Sequence, residues 1–151
     1  MSESDKTVAV ELRQEEEFRF AIDFGAGLAP LVGDEPPPLG KAAGPSPAQL
    51  LTAAVGNCLS DSLYFAFRKF SQAVAPITTR AAATVGRNPE GRMRVLRIEV
   101  TLQLGVPAAG LQHVERVMSQ FEGFCTVTQS VGQGIPVHAR VVDAAGVVLK
   151  D

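Results

Sequence analysis

The chain has 151 residues, enough for one domain with a real core and too few for two ordinary ones, and its 14 basic and 16 acidic side chains leave a formal charge of −2 with no basic stripe for nucleic acid. No apolar run approaches the ~20 residues of a membrane span, and the start Met-Ser-Glu-Ser-Asp-Lys lacks the basic-then-apolar order of a signal peptide. Two cysteines, Cys58 and Cys125, are too few for a disulfide scaffold, so the expectation is a cytoplasmic single domain over residues 1–151 with free thiols and neither nucleic acid nor membrane as partner.

Residues 1–6 are polar and expected to fray. Val8, Val10 and Leu12 alternate with polar or small neighbours, as do Phe18, Phe20 and Ile22, which predicts a hairpin turning over Arg13–Glu17. Residues 24–46 hold five glycines and five prolines, and no regular element is expected there. Ser46-Pro47-Ala48-Gln49 is a helix start, with Ser46 as cap, Pro47 in the first turn and Gln49 closing a capping box. The helical pattern then runs to about Gln72, roughly 39 Å at ~1.5 Å per residue. From Leu50 to Phe67 it carries one formal charge, Asp61. A helix apolar nearly all round lies in the middle of something, which here calls for a sheet and a second subunit.

Residues 77–86 read as a strand of small side chains, and Gly86-Arg87-Asn88-Pro89-Glu90-Gly91 as turn chemistry. Leu96, Ile98, Val100, Leu102 and Leu104 form the clearest strand, with a phase slip after Met93 that predicts a bulge. Leu111, Val114, Met118 and Phe121 share one helix face, ended by Gly123; residues 125–131 suit a short helix, 135–142 a strand and 146–149 an edge strand. The order implies an α+β fold with a mostly antiparallel sheet wrapped around a long central helix.

The chemistry centres on Cys58. Asp61 and Ser62, three and four residues on, share its helix face, a polar cluster inside a greasy helix that needs partners. The plain reading is a free core cysteine. Cys125 at a helix start would have its thiolate favoured by the amides and dipole there, or be a small core residue. Cys58, Cys125, His113 and His138 are zinc-type residues, yet neither C-x-x-C nor H-x₃₋₅-H spacing is present, so no metal is expected. Arg87, Arg92, Arg94 and Arg97 crowd one hairpin and read as a solvated edge.

Gly44-Pro45-Ser46-Pro47-Ala48-Gln49-Leu50-Leu51, followed by Ala53-Ala54-Val55-Gly56-Asn57-Cys58-Leu59, resembles the signature of the OsmC/Ohr family. Phe124-Cys125-Thr126-Val127-Thr128-Gln129-Ser130 is similar to its second cysteine segment, and Asp34-Glu35-Pro36 with Pro38-Leu39-Gly40 is closer to the OsmC-like branch. The resemblance covers about residues 7–142. It implies an intertwined homodimer and a thiol-dependent peroxidase without metal or organic cofactor. Cys58 would attack a peroxide and Cys125 would resolve the sulfenic acid as a disulfide, which a small dithiol or dithiol protein reduces.

The family uses an arginine, held by a glutamate in the first turn of the long helix, to stabilise the thiolate. That glutamate position is Ala48 here, so the clamp cannot exist in its usual form. The order of elements points to Arg13 for the arginine, with Arg19 nearby, and to Glu35, Asp34 or Asp61 for a substitute carboxylate, Glu35 first because its loop leads into the helix. Three functions compete: a peroxidase for organic peroxides or hydrogen peroxide, a catalytically weakened module binding an apolar small molecule at the dimer interface, and a structural protein with two buried thiols.

Overall fold

In the computed structural model, which describes residues 5–151, the chain divides after Leu50 into two compact units. The fray expected for residues 1–6 falls, for residues 1–4, outside the described residues.

The first unit carries strands β1 (Glu11–Glu16), β2 (Arg19–Asp23) and β3 (Leu31–Gly33), an antiparallel sheet in the order β1-β2-β3. The hairpin is present, but it turns at Glu17-Phe18, so the predicted turn residues 13–16 are strand and Phe18 is not. Glu17 takes a positive φ of 44°, and the Gln14 amide donates to its carbonyl at 2.8 Å, which closes the turn there. β3 was not expected. Leu31-Val32-Gly33 is short, and the glycines and prolines around it mask a strand that pairs only because β2 offers its free edge. After β3, Asp34 gathers the loop: its carboxylate accepts from the backbone N–H of Glu35 (2.8 Å), Ala43 (3.0 Å) and Lys41 (3.1 Å). Gly44 must be glycine, since a Cβ there would collide with the Val32 carbonyl.

Helix α1 (Pro47–Lys69) begins as the capping box dictates, with Gln49 N–H donating to Ser46 Oγ at 3.2 Å and Ser46 N–H to Gln49 Oε1 at 2.9 Å. It stops three residues short of Gln72. By length and composition alone α1 would suit a membrane span, contrary to the sequence reading. One stripe of it, Val55, Gly56, Leu59, Ser62, Leu63, Ala66 and Phe67, is instead buried. Its other face, with Tyr64 and Phe65 about half exposed, is open.

The second unit is a four-stranded sheet in the order β4 (Thr78–Arg87), β5 (Met93–Gln103), β6 (Val137–Val142), β7 (Val148–Lys150). β4–β5 and β6–β7 are antiparallel, while β5 and β6 run parallel. The parallel pair requires a crossover, and residues 104–136 supply it with two short helices, α2 (Val114–Gln120) and α3 (Thr126–Val131). The predicted bulge is there: Thr84 faces Arg97 and Val85 faces Val95, leaving Leu96 extra. The helix expected over 111–121 is only α2, because Phe121–Phe124 tightens into a 3₁₀ turn. Ile98, Val100 and Leu102 of β5 and Ala139 and Val141 of β6 join the α1 stripe in one core, and close approach is secured at Gly56, where a Cβ would stand 3.1 Å from that of Ala81. The hairpin arginines bond locally, Arg87 to the Gly91 carbonyl and Arg94 to that of Met93, as a solvated edge should.

Asp143 does for the β6–β7 turn what Asp34 does for the loop, accepting from the N–H groups of Ala108, Ala145 and Val147, each at 2.9 Å. These backbone bonds, from Ala43 foremost on Asp34 and from Ala108 foremost on Asp143, hold both carboxyls below the usual carboxylate range. A carboxylate depressed in the folded state stabilises the fold fully above its unfolded pKa, and that stability is lost as pH falls through the folded pKa. Stability is therefore expected to fall on acidification below about pH 4. Asp34→Asn and Asp143→Asn should each flatten that fall, read as urea midpoints between pH 3 and pH 6; unaltered slopes would contradict these assignments.

Candidate functional site

On α1, Cys58 is the residue just before the buried Leu59, at the edge of the core stripe, and it is half-buried. Its side chain thus borders hydrocarbon on one side and open space on the other. Cys125 is brought from the crossover. Phe121, fully buried, anchors the 3₁₀ turn, the Cys125 N–H bonds to the Glu122 carbonyl at 3.1 Å, and Cys125 itself is wholly buried.

There the two thiols meet. Cys58 lies near enough to the Cys125 thiol to bear on its ionisation. Cys125 S–H also donates to Thr128 Oγ1 at 2.9 Å, and its sulfur accepts the Thr128 N–H at 3.4 Å. Cys125 is the N-cap of α3, as the sequence suggested, but the expected lowering of its pKa is not found. Burial pushes the Cys125 thiol up, the adjacent Cys58 adds to this, and the Thr128 bonds only partly oppose it. A six-residue helix has too little dipole to offset full burial.

Cys58, Asp61, Ser62, Phe65 and Phe124 line an open cavity of about 390 Å³. Phe65 and Phe124 meet edge to face at 5.7 Å, which ties the open face of α1 to the residue preceding Cys125. Lys69 Nζ lies 5.1 Å from the Phe124 ring centroid and 5.9 Å from that of Phe65. Asp61 is the charged residue of the lining, its carboxylate accepting from the Asn57 amide at 3.2 Å.

The other predicted residues lie in the first unit, apart from the histidines. Arg13 is exposed on β1 opposite Ala21 and makes no ion pair among the described residues. Arg19 on β2 is bonded to Glu15 at 2.9 Å. Glu35 is half-buried in the loop after β3, and the Asp34 carboxylate accepts from three backbone N–H groups. Ala48 is half-buried in the first turn of α1. His113 lies just before α2, stacked on Phe70 at 4.6 Å, and His138 lies 3.6 Å from Asp151. Among the described residues, no three or more His, Cys, Asp or Glu side chains converge as metal ligands. Sequence reasoning passed over Thr128 and Phe124. The Cys-x-x-Thr spacing at a helix start was the available sign for Thr128.

A family model described as OsmC-like protein matches residues 40–140. The fold is similar to an OsmC-like protein of unknown function from Vibrio cholerae, with a TM-score of 0.77 at 17% identity over 91% of this chain and 100% of that one. It is similar to an organic hydroperoxide resistance protein from Elizabethkingia anophelis, with a TM-score of 0.74 at 14% identity over 95% and 99%. It is also similar to the organic hydroperoxide resistance protein OhrB of Bacillus subtilis, with a TM-score of 0.66 at 15% identity over 90% and 98%. No curated protein matches the chain.

Proposed function

The chain belongs to the OsmC-like family, and from that premise we propose that it is a cysteine-based peroxidase that reduces organic hydroperoxides through Cys58 and Cys125. The observation that carries the reading is the pairing of a half-open thiol facing a cavity with a buried thiol beside it. The Cys58 thiolate attacks a peroxide oxygen. The O–O bond breaks as the S–O bond forms, and the leaving alkoxide takes a proton to become the alcohol. Cys58 is then a sulfenic acid, which Cys125 converts to a disulfide with release of water. A small dithiol or dithiol protein returns both thiols.

Burial supports this division of roles. A wholly buried Cys125 cannot meet peroxide from solvent, whereas Cys58 can. The thiolate still needs positive charge, and the cavity lining supplies none among the described residues. Arg13, which makes no ion pair among the described residues while Arg19 is bonded to Glu15, is the proposed source, with Glu35 as its carboxylate. The site is proposed to be completed in a homodimer. Tyr64 and Phe65 on α1, and Leu12, Phe18, Phe24 and Leu28 in the first unit, are large apolar side chains left exposed, more than a single copy would leave uncovered.

The Phe65–Phe124 wall favours an apolar peroxide. With a dithiol as reductant, cumene hydroperoxide should be consumed at least about 10-fold more efficiently than hydrogen peroxide. Phe65→Ala should raise KM for the cumyl substrate roughly 5- to 10-fold and leave hydrogen peroxide nearly unaffected. Equal efficiency for both peroxides, unmoved by Phe65→Ala, contradicts the apolar assignment. Ala48 in place of a glutamate favours the second reading, a slow module that holds an apolar ligand. Tight binding of cumyl alcohol without peroxide turnover would select it.

A further inference from the structure

The cycle asks Cys125 to remain a neutral buried thiol while Cys58 is reduced, and to ionise within the core once Cys58 is oxidised. Thr128 is the polar group placed to manage that change. It is buried, so water does not compete for its hydroxyl, and it reaches the sulfur twice, through Oγ1 at 2.9 Å and through its N–H at 3.4 Å. A hydroxyl both accepts and donates. While the sulfur is protonated, Oγ1 accepts its proton; once the proton leaves, the hydroxyl turns and donates, beside the N–H already aimed at the sulfur.

We propose that Thr128 is a positioning residue for disulfide formation, whose hydroxyl holds the Cys125 sulfur against Cys58 and supplies the hydrogen bond that lets its thiolate form inside the core. The proposal rests on the reading of Cys58 and Cys125 as a redox pair. In the step, the Cys125 proton passes to the departing hydroxide, the Cys125 sulfur bonds to the sulfenic sulfur, and the S–O bond breaks to give water. Nothing external is oxidised or reduced. Among the described residues, the charged and titratable groups around it include Lys69 of α1, 5.1 Å from the ring of Phe124 next to Cys125. Cys58 faces Cys125 from α1, Asp61 stands a turn further along that helix, and Glu122 before it is 3.1 Å from Lys150 of β7.

Single-turnover oxidation by cumene hydroperoxide, with sulfenic acid trapped by dimedone over time, reads the step directly. Thr128→Val and Thr128→Ala should slow disulfide formation roughly 10- to 100-fold and move its pH profile upward, while Thr128→Ser restores both. In a Cys58→Ser background, the Cys125 thiolate absorbance near 240 nm should titrate about one pH unit or more higher with Thr128→Val and return with Thr128→Ser. Unchanged rate and titration in the Val and Ala variants overturn the proposal, as does a Ser variant as slow as Val. A wild-type protein that forms no disulfide refutes the redox pairing instead, and the titration still decides whether Thr128 controls Cys125.

Discussion

Cys58→Ser is expected to bring peroxide consumption down to the rate measured without protein, whereas Cys125→Ser consumes one equivalent and halts at the sulfenic acid. The difference comes from position. Cys58 alone of the two thiols faces the cavity, so its loss removes the nucleophile; Cys125 is sealed in the core, so its loss removes only the partner that closes the disulfide. A hydroxyl cannot replace the thiol, because serine oxygen is far less readily ionised and does not form the S–O bond. Intact mass with dimedone present separates the two variants. A Cys58→Ser protein that still consumes peroxide, or a Cys125→Ser protein that yields no dimedone adduct, would reverse or remove the assigned roles.

The second large effect is structural and reaches the same site. Phe121 is fully buried and opens the turn that carries Phe124 and Cys125. Phe121→Ala removes a whole ring from the core, and such truncations cost about 3–5 kcal/mol. Against the 5–15 kcal/mol or so that holds a typical domain together, that is a large share. The urea midpoint should fall accordingly at fixed protein concentration, with an unchanged slope. Dimedone trapping should also lengthen at temperatures where the variant is still folded, because the Cys125 segment loses its anchor. A loss of stability under about 1 kcal/mol, from midpoint and slope together, would show that the ring is not part of a close-packed core.

Much of this was legible in the residues, and the failures are physical ones. The start of α1 could be read because Ser46 and Gln49 satisfy each other locally, and the Leu96 bulge because a strand cannot keep its alternation across an extra residue. Strand β3 could not, since three residues pair there on account of a neighbouring strand and not of their own pattern. The hairpin was displaced because Glu17 adopts a positive φ that no glycine or asparagine advertises. Of the two readings open for Cys125, a thiolate favoured at a helix start and a small core residue, burial decides for the second, and that burial rests on β5 and β6 side chains far away in sequence. The adjacency of Cys58 and Cys125 was implied by the family resemblance, while Thr128 emerged only from the fold.

The central claim is that these two sulfurs form a bond with each other when peroxide arrives. Reduced protein treated with one equivalent of cumene hydroperoxide, alkylated and digested without reductant, tests it most directly. A single cross-linked pair of peptides, carrying Cys58 and Cys125 of the same chain, with a loss of about 2 Da per chain, is the predicted result. Both cysteines recovered alkylated, or cross-links only between different chains, would contradict it.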